Sequence, residues 1–215
     1  MPSVSSRVPS SRGARSRRSV KVAAAAIAAA LAVGLSACST DDPAAEAFRN
    51  GDEKAYTSAD FRTQEIPPAD RGEPVEFGGV TENGEEFSSA DISGQVAVVN
   101  FWYAGCGPCR LEAPDLEAVW QMHQKDDVAF VGVNIYDQPA TALAFAETYG
   151  ITYPSLIDAT TGEAKLAFAQ VTPIQAPPTT LVLDKQGRVA ARIIGPIDGT
   201  SILSTMIKDV LKEEA

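Results

Sequence analysis

Histidine occurs once in this 215-residue chain, at His123, and cysteine three times, at Cys38, Cys106 and Cys109. A closed structural zinc site takes four nitrogen or sulfur ligands, so zinc would require all four of these residues together. The sequence also contains no haem-attachment CxxCH, no phosphate-binding glycine loop and no internal repeat. Basic residues are few and unevenly placed. Six of the 18, Arg7, Arg12, Arg15, Arg17, Arg18 and Lys21, fall in the first 37 residues, which hold no acidic residue. The remainder carries 12 basic against 28 acidic residues, a formal net charge of −16. That balance argues against nucleic acid as a partner and suits solubility outside the cell. The apolar run from Val22 to Leu35 has 14 residues, short of the roughly 20 that a spanning helix needs.

What is present at the N-terminus reads as an export signal. A basic region followed by that short apolar run predicts a secretory signal peptide over residues 1–37. Its end, "LSAC" (Leu35 to Cys38), resembles the bacterial lipobox, which implies a lipid-modified Cys38 as the anchor. Ordinary cleavage that leaves Cys38 as a free thiol is the alternative. "SRRSVK" (Ser16 to Lys21) partly resembles a twin-arginine signal but lacks its usual large apolar residue. Residues 38–72 are polar, acidic and without a sustained apolar period, and predict a flexible tether with a reach of about 30 Å. The domain is expected over residues 73–215.

Within it, "EPVEFGGVTENGEEF" alternates around Asn83-Gly84 and predicts a small hairpin. "QVAVVNFW" is the apolar run of a central strand. A helix is expected from about Gly107, with Leu111, Leu116, Val119, Trp120 and Met122 as its apolar positions and His123 as a cap or surface residue. "VAFVGVNIY", "PATALAFAETYG" and "YPSLID" follow as strand, helix and strand, a parallel crossover. A short helix, two hairpin strands joined by "KQG" and a final amphipathic helix complete the chain.

Cys106 and Cys109 admit three readings. Metal binding would need Cys38, the expected lipid anchor at the end of the tether, as its fourth ligand. A staple across two residues restricts little of the unfolded chain. A redox pair fits the spacing and the export signal, because Cys106 stands where a helix begins and Gly107-Pro108 suits its first turn. The expected cycle has Cys106 attack a disulfide and Cys109 resolve the mixed disulfide. Strand, CxxC and helix within a βαβ pattern indicate a thioredoxin-like motif.

From about Pro74 onward the chain resembles the TlpA/ResA group of extracytoplasmic thioredoxin-fold proteins, on the stretch "VVNFWYAGCGPCRLEAP". The resemblance implies an α/β fold with a central mixed sheet flanked by helices, an N-terminal hairpin and an inserted strand-helix unit over "FVGVNIYDQPATALAFAETYGITYPSLID". It places Glu112 near the buried cysteine as a proton carrier; an exposed helix glutamate is the plainer reading. "IQAPPTTLVLDKQG" resembles the family's cis-proline loop, with Pro178 as the cis residue facing the pair and Pro177 and Trp102 at the substrate edge. Pro177 has no N–H to offer a docked peptide. Gly105 replaces the tryptophan usual before the first cysteine, and Tyr103 is expected to compensate in part. No cofactor is implied. The implied partners are protein dithiols or disulfides, apocytochrome c among them, and a membrane electron donor.

The reading that follows is a lipid-anchored protein disulfide reductase. A disulfide donor for secreted proteins, a peroxidase relative and a non-catalytic binding module are the alternatives. The peroxidase reading lacks its Thr-x-x-Cys, since position 103 is Tyr.

Overall fold

The computed structural model describes residues 62–172, Ile174 and residues 176–213. The expected signal peptide, Cys38 and most of the expected tether lie outside these. The strands are β1 (Thr63–Glu65), β2 (Gly78–Val80), β3 (Glu86–Ser88), β4 (Val96–Trp102), β5 (Val128–Asn134), β6 (Ser155–Ile157), β7 (Thr179–Leu183) and β8 (Val189–Ile194). The helices are α1 (Gly107–His123), α2 (Pro139–Tyr149), α3 (Glu163–Ala169) and α4 (Ser201–Leu211).

Six strands form one mixed sheet in the order β1-β8-β7-β4-β5-β6, with β4, β5 and β6 parallel and the others antiparallel to their neighbours. The apolar runs of β4 and β5 occupy its centre, and all seven residues of each are buried, as expected for strands covered on both faces. Pleating divides those residues between two layers. Val96 and Val98 join Leu116 and Val119 of α1 and Leu203, Met206 and Ile207 of α4. Ala97, Val99 and Phe101 point the other way, toward Phe168 of α3 and toward Val75 and Phe77 before the hairpin. The same alternation puts Asn100 on the α1 side.

The hairpin of β2 and β3 forms at the expected turn, where Gly84 takes a φ of +81° and donates its N–H to the Thr81 carbonyl at 2.9 Å. It sits on β6 through a Thr81–Leu156 bridge. At Gly132 a Cβ would overlap the Ser155 hydroxyl and approach Trp102 Nε1 to 2.8 Å. Glycine there lets those two side chains meet between β4 and β6.

Two expectations need correction. Part of the expected tether belongs to the fold: β1 pairs with β8, and Arg71 is buried against Asp184 and Glu213 at 3.0 and 2.5 Å. The folded region therefore begins before Glu73. On α1 the buried residues are Cys109, Glu112, Ala113, Leu116, Val119 and His123, a helical period that includes two polar side chains. Leu111 and Met122, read as apolar positions of that helix, are 77% and 58% exposed, whereas His123 is 2% exposed. The helix turns as it does because Glu112 and His123 find partners inside, while Leu111 and Met122 fall off that face.

Candidate active site

β4 ends at Trp102, and a tight turn leads directly into α1. Cys106 N donates to the Tyr103 carbonyl at 3.1 Å, closing that turn. Cys106 is then the N-cap of α1, and its Sγ accepts the Cys109 N–H at 3.1 Å. Pro108 lies in the first turn, where an N–H has no helical partner to lose. One helical turn brings the two cysteines together as a disulfide with a Cα–Cα distance of 5.2 Å. Both residues are nearly covered, Cys106 at 3% and Cys109 at 2% exposed.

Beneath them lies a carboxyl group. Glu112 shares the buried face with Cys109 three positions earlier and is 1% exposed. Its Oε1 accepts from Asn100 Nδ2 and its Oε2 from the Ile197 backbone N–H, both at 2.9 Å. Asn100 also donates to Thr180 Oγ1 at 3.0 Å, so β4, α1 and the segment after β8 meet at one carboxyl group and β7 braces it through Asn100. Burial pushes the Glu112 carboxyl up to about 7; the Ile197 and Asn100 donors oppose the rise, and the Asp115 charge adds to it. A carboxyl of that acidity accepts and returns protons near neutral pH.

Trp102, expected at the substrate edge, is instead buried under the pair. Its indole N–H donates to Ser155 Oγ at 3.2 Å and its ring packs on Phe145 at 4.3 Å between centroids. An indole finds its hydrogen bond and its apolar cover there, inside the sheet. A void of about 10 Å³ beside Cys109 is lined by Trp102, Asn100, Tyr153, Ser155 and Glu82. Glu82 Oε2 accepts the Ser155 N–H at 2.7 Å; its place beside the Asn83-Gly84 turn is the sole sign of it in the sequence. The Pro177-Pro178 peptide is cis. It precedes Thr179, which pairs with Phe101, and so lies at the same end of the sheet as the cysteines. Tyr103 lies over Gly105, where a Cβ would meet its ring at 3.2 Å.

A concavity of about 750 Å³ lies elsewhere, lined by Val75, Gln95, Leu183 and Lys185 at the opposite end of the sheet. Neither cysteine lines it, and the void beside Cys109 is far smaller. Among the described residues no group of three or more His, Cys, Asp or Glu side chains is placed to hold a metal ion, and no helix is long and apolar enough to cross a membrane.

Residues 72–192, which contain the disulfide, the buried glutamate and the cis peptide, match the AhpC/TSA family. The chain belongs to this family. A similar curated relative is the thiol-disulfide oxidoreductase ResA of Geobacillus thermodenitrificans, 32% identical over 130 residues, covering 60% of this chain and 67% of ResA. The crystal structure of a thioredoxin-family thiol:disulfide interchange protein from Chlorobium tepidum superposes with a TM-score of 0.60 at 32% identity, over 66% of this chain and 97% of that one. A DsbF homologue from Corynebacterium diphtheriae gives 0.61 at 28% identity, over 73% and 98%. The fold is thioredoxin-like and the protein is a thiol–disulfide oxidoreductase.

Proposed function

We propose that the protein reduces disulfides of other proteins outside the cytoplasm, with Cys106 as nucleophile, Cys109 as resolving thiol and Glu112 as the proton carrier. The observation that carries this reading is the disulfide across the first turn of α1 with an unusually basic carboxyl on the same buried helix face. In the forward reaction the Cys106 thiolate attacks a partner disulfide, forming the mixed disulfide and releasing the partner's other sulfur as a thiolate. Glu112 takes the proton of Cys109, whose thiolate then attacks Cys106 Sγ. The Cys106–Cys109 bond forms, and the partner leaves with both sulfurs reduced. Two electrons pass from the pair to the partner, and an external dithiol donor must restore them.

The Cys109 N–H favours the Cys106 thiolate by direct donation and through the helix dipole. The Pro177-Pro178 segment is assigned to docking an extended stretch of the partner. Trp102 is assigned to the floor of the site. Gly107-Pro108 is the dipeptide of thioredoxin, with its potential of about −270 mV, and supports the reducing direction. Apocytochrome c before haem attachment is the substrate implied by the resemblance to the TlpA/ResA group. Residues 1–37 are assigned to a signal peptide and Cys38 to a lipid anchor, which keeps the enzyme beside a membrane donor.

The reduction potential decides the direction. Equilibration of the chain from residue 39 onward against thiol buffers is expected to give a value near −270 mV, whereas a value near the −120 mV of DsbA would make the protein a disulfide donor.

A further inference from the structure

β4 and β5 run parallel and end side by side, Trp102 opposite Asn134. Two loops leave those ends. One, Tyr103 to Cys106, carries a cysteine of the pair; the other, Ile135 to Gln138, leads to α2. A backbone bond from Ile135 N–H to the Trp102 carbonyl, 3.1 Å, starts the stitching between them. Asn134, fully buried, accepts the Tyr136 and Asp137 N–H groups on Oδ1 at 3.1 and 2.7 Å and donates from Nδ2 to Asp137 Oδ2 at 2.9 Å. Those bonds aim one oxygen of Asp137 across the gap, where it accepts the Ala104 N–H at 2.6 Å. From the other side Arg110 Nε donates to the Ala104 carbonyl at 2.7 Å. Both backbone groups of Ala104 are thus held by ionised side chains of opposite sign, bonds of the short charge-assisted kind.

This grip falls where the chain most needs it. The turn has its own closing bond, but its third residue is the exposed Gly105, which brings no side chain to pack. We propose that Asp137, with Arg110, is a positioning residue of the redox pair: by fixing Ala104 it holds the Cys106 sulfur on the Cys109 N–H. The proposal rests on Cys106 as the attacking thiol. Without the grip the turn relaxes, Cys106 leaves the cap, and its thiolate loses its donor. Other acidic groups near this end of the sheet are Glu112 on α1, Glu82 across the void and Asp158 after β6, whose N–H donates to the Asn134 carbonyl at 2.8 Å and whose carboxylate accepts from the Ala164 and Lys165 N–H groups; none of the three has a hydrogen bond to the turn.

The test uses the full chain, reduced, as wild type, Asp137→Ala and Asp137→Asn. Alkylation of Cys106 is followed by peptide mass against pH, together with its rate of reaction with a small aromatic disulfide. Asparagine can place its Oδ1 where Asp137 Oδ2 accepts both bonds, so it preserves the geometry and removes the charge. The Ala variant is expected to react about tenfold more slowly, with its alkylation midpoint raised by about half a unit. The Asn variant is expected to stay within about threefold of wild type, with a midpoint unchanged or lowered. Equal behaviour of all three proteins, or the same downward shift in both variants, would overturn the proposal, the latter because Asp137 would then act as a charge alone. A wild-type Cys106 that exchanges no disulfide would overturn the functional reading, and this proposal with it.

Discussion

Glu112 illustrates how one buried side chain couples stability to chemistry. Its carboxyl titrates near 7 in the fold against 4.5 ordinarily. Between those values the native state holds a proton that the unfolded chain releases, so the contribution of this carboxyl to stability is fully present below about 4.5 and is lost as pH rises toward 7. The shift corresponds to about 3 kcal/mol. Glu112→Gln is expected to abolish this decline, as read from urea unfolding at pH 4.5 and pH 8; a variant with the wild-type slope would contradict the assignment. Glutamine also sets an amide donor against one of the two donors that the carboxylate now satisfies. Resolution of a trapped mixed disulfide is expected to slow about a hundredfold in the same variant, measured by release of the partner thiol near neutral pH.

At the level of elements, the sequence reveals most where the apolar pattern is continuous and least where polar groups turn inward. β4 and β5 were legible because every residue but Asn100 and Asn134 suits burial. Helix α1 was legible as a helix, but its orientation was not. A period that runs through Glu112 and His123 looks polar until Asn100, Ile197, Asp126 and Ser204 are brought to meet it. His123 bonds Asp126 Oδ2 through Nδ1 at 2.8 Å and Ser204 Oγ through Nε2 at 2.9 Å, fastening the end of α1 to α4. His123→Ala leaves a cavity and strands the Ser204 hydroxyl. A loss of about 2 to 4 kcal/mol is expected in denaturant unfolding, with the reduction potential unchanged; a stability equal to wild type would show that this fastening is dispensable.

Across the whole molecule, the cysteine pair and the proline loop were legible as local motifs, whereas the groups that hold them came from scattered places. Glu82, Asn134, Asp137 and Ile197 carry no motif; topology alone brings them to one end of the sheet. The polar Thr63–Glu65 segment likewise reads as tether because an edge strand needs no apolar face. Location is tested at the same scale. Cys38→Ser is expected to move the protein from the membrane fraction to the soluble one, and retention in the membrane fraction would refute a lipid anchor.

The Glu112–Ile197 bond joins residues 85 positions apart. A polypeptide synthesised or exported N-terminus first presents its two cysteines well before Ile197 follows. During that interval they form an ordinary dithiol without the assembled carboxyl that we propose carries their protons. The enzyme's tuned reactivity is therefore acquired late in its own biogenesis, once the last loop has closed over the first helix.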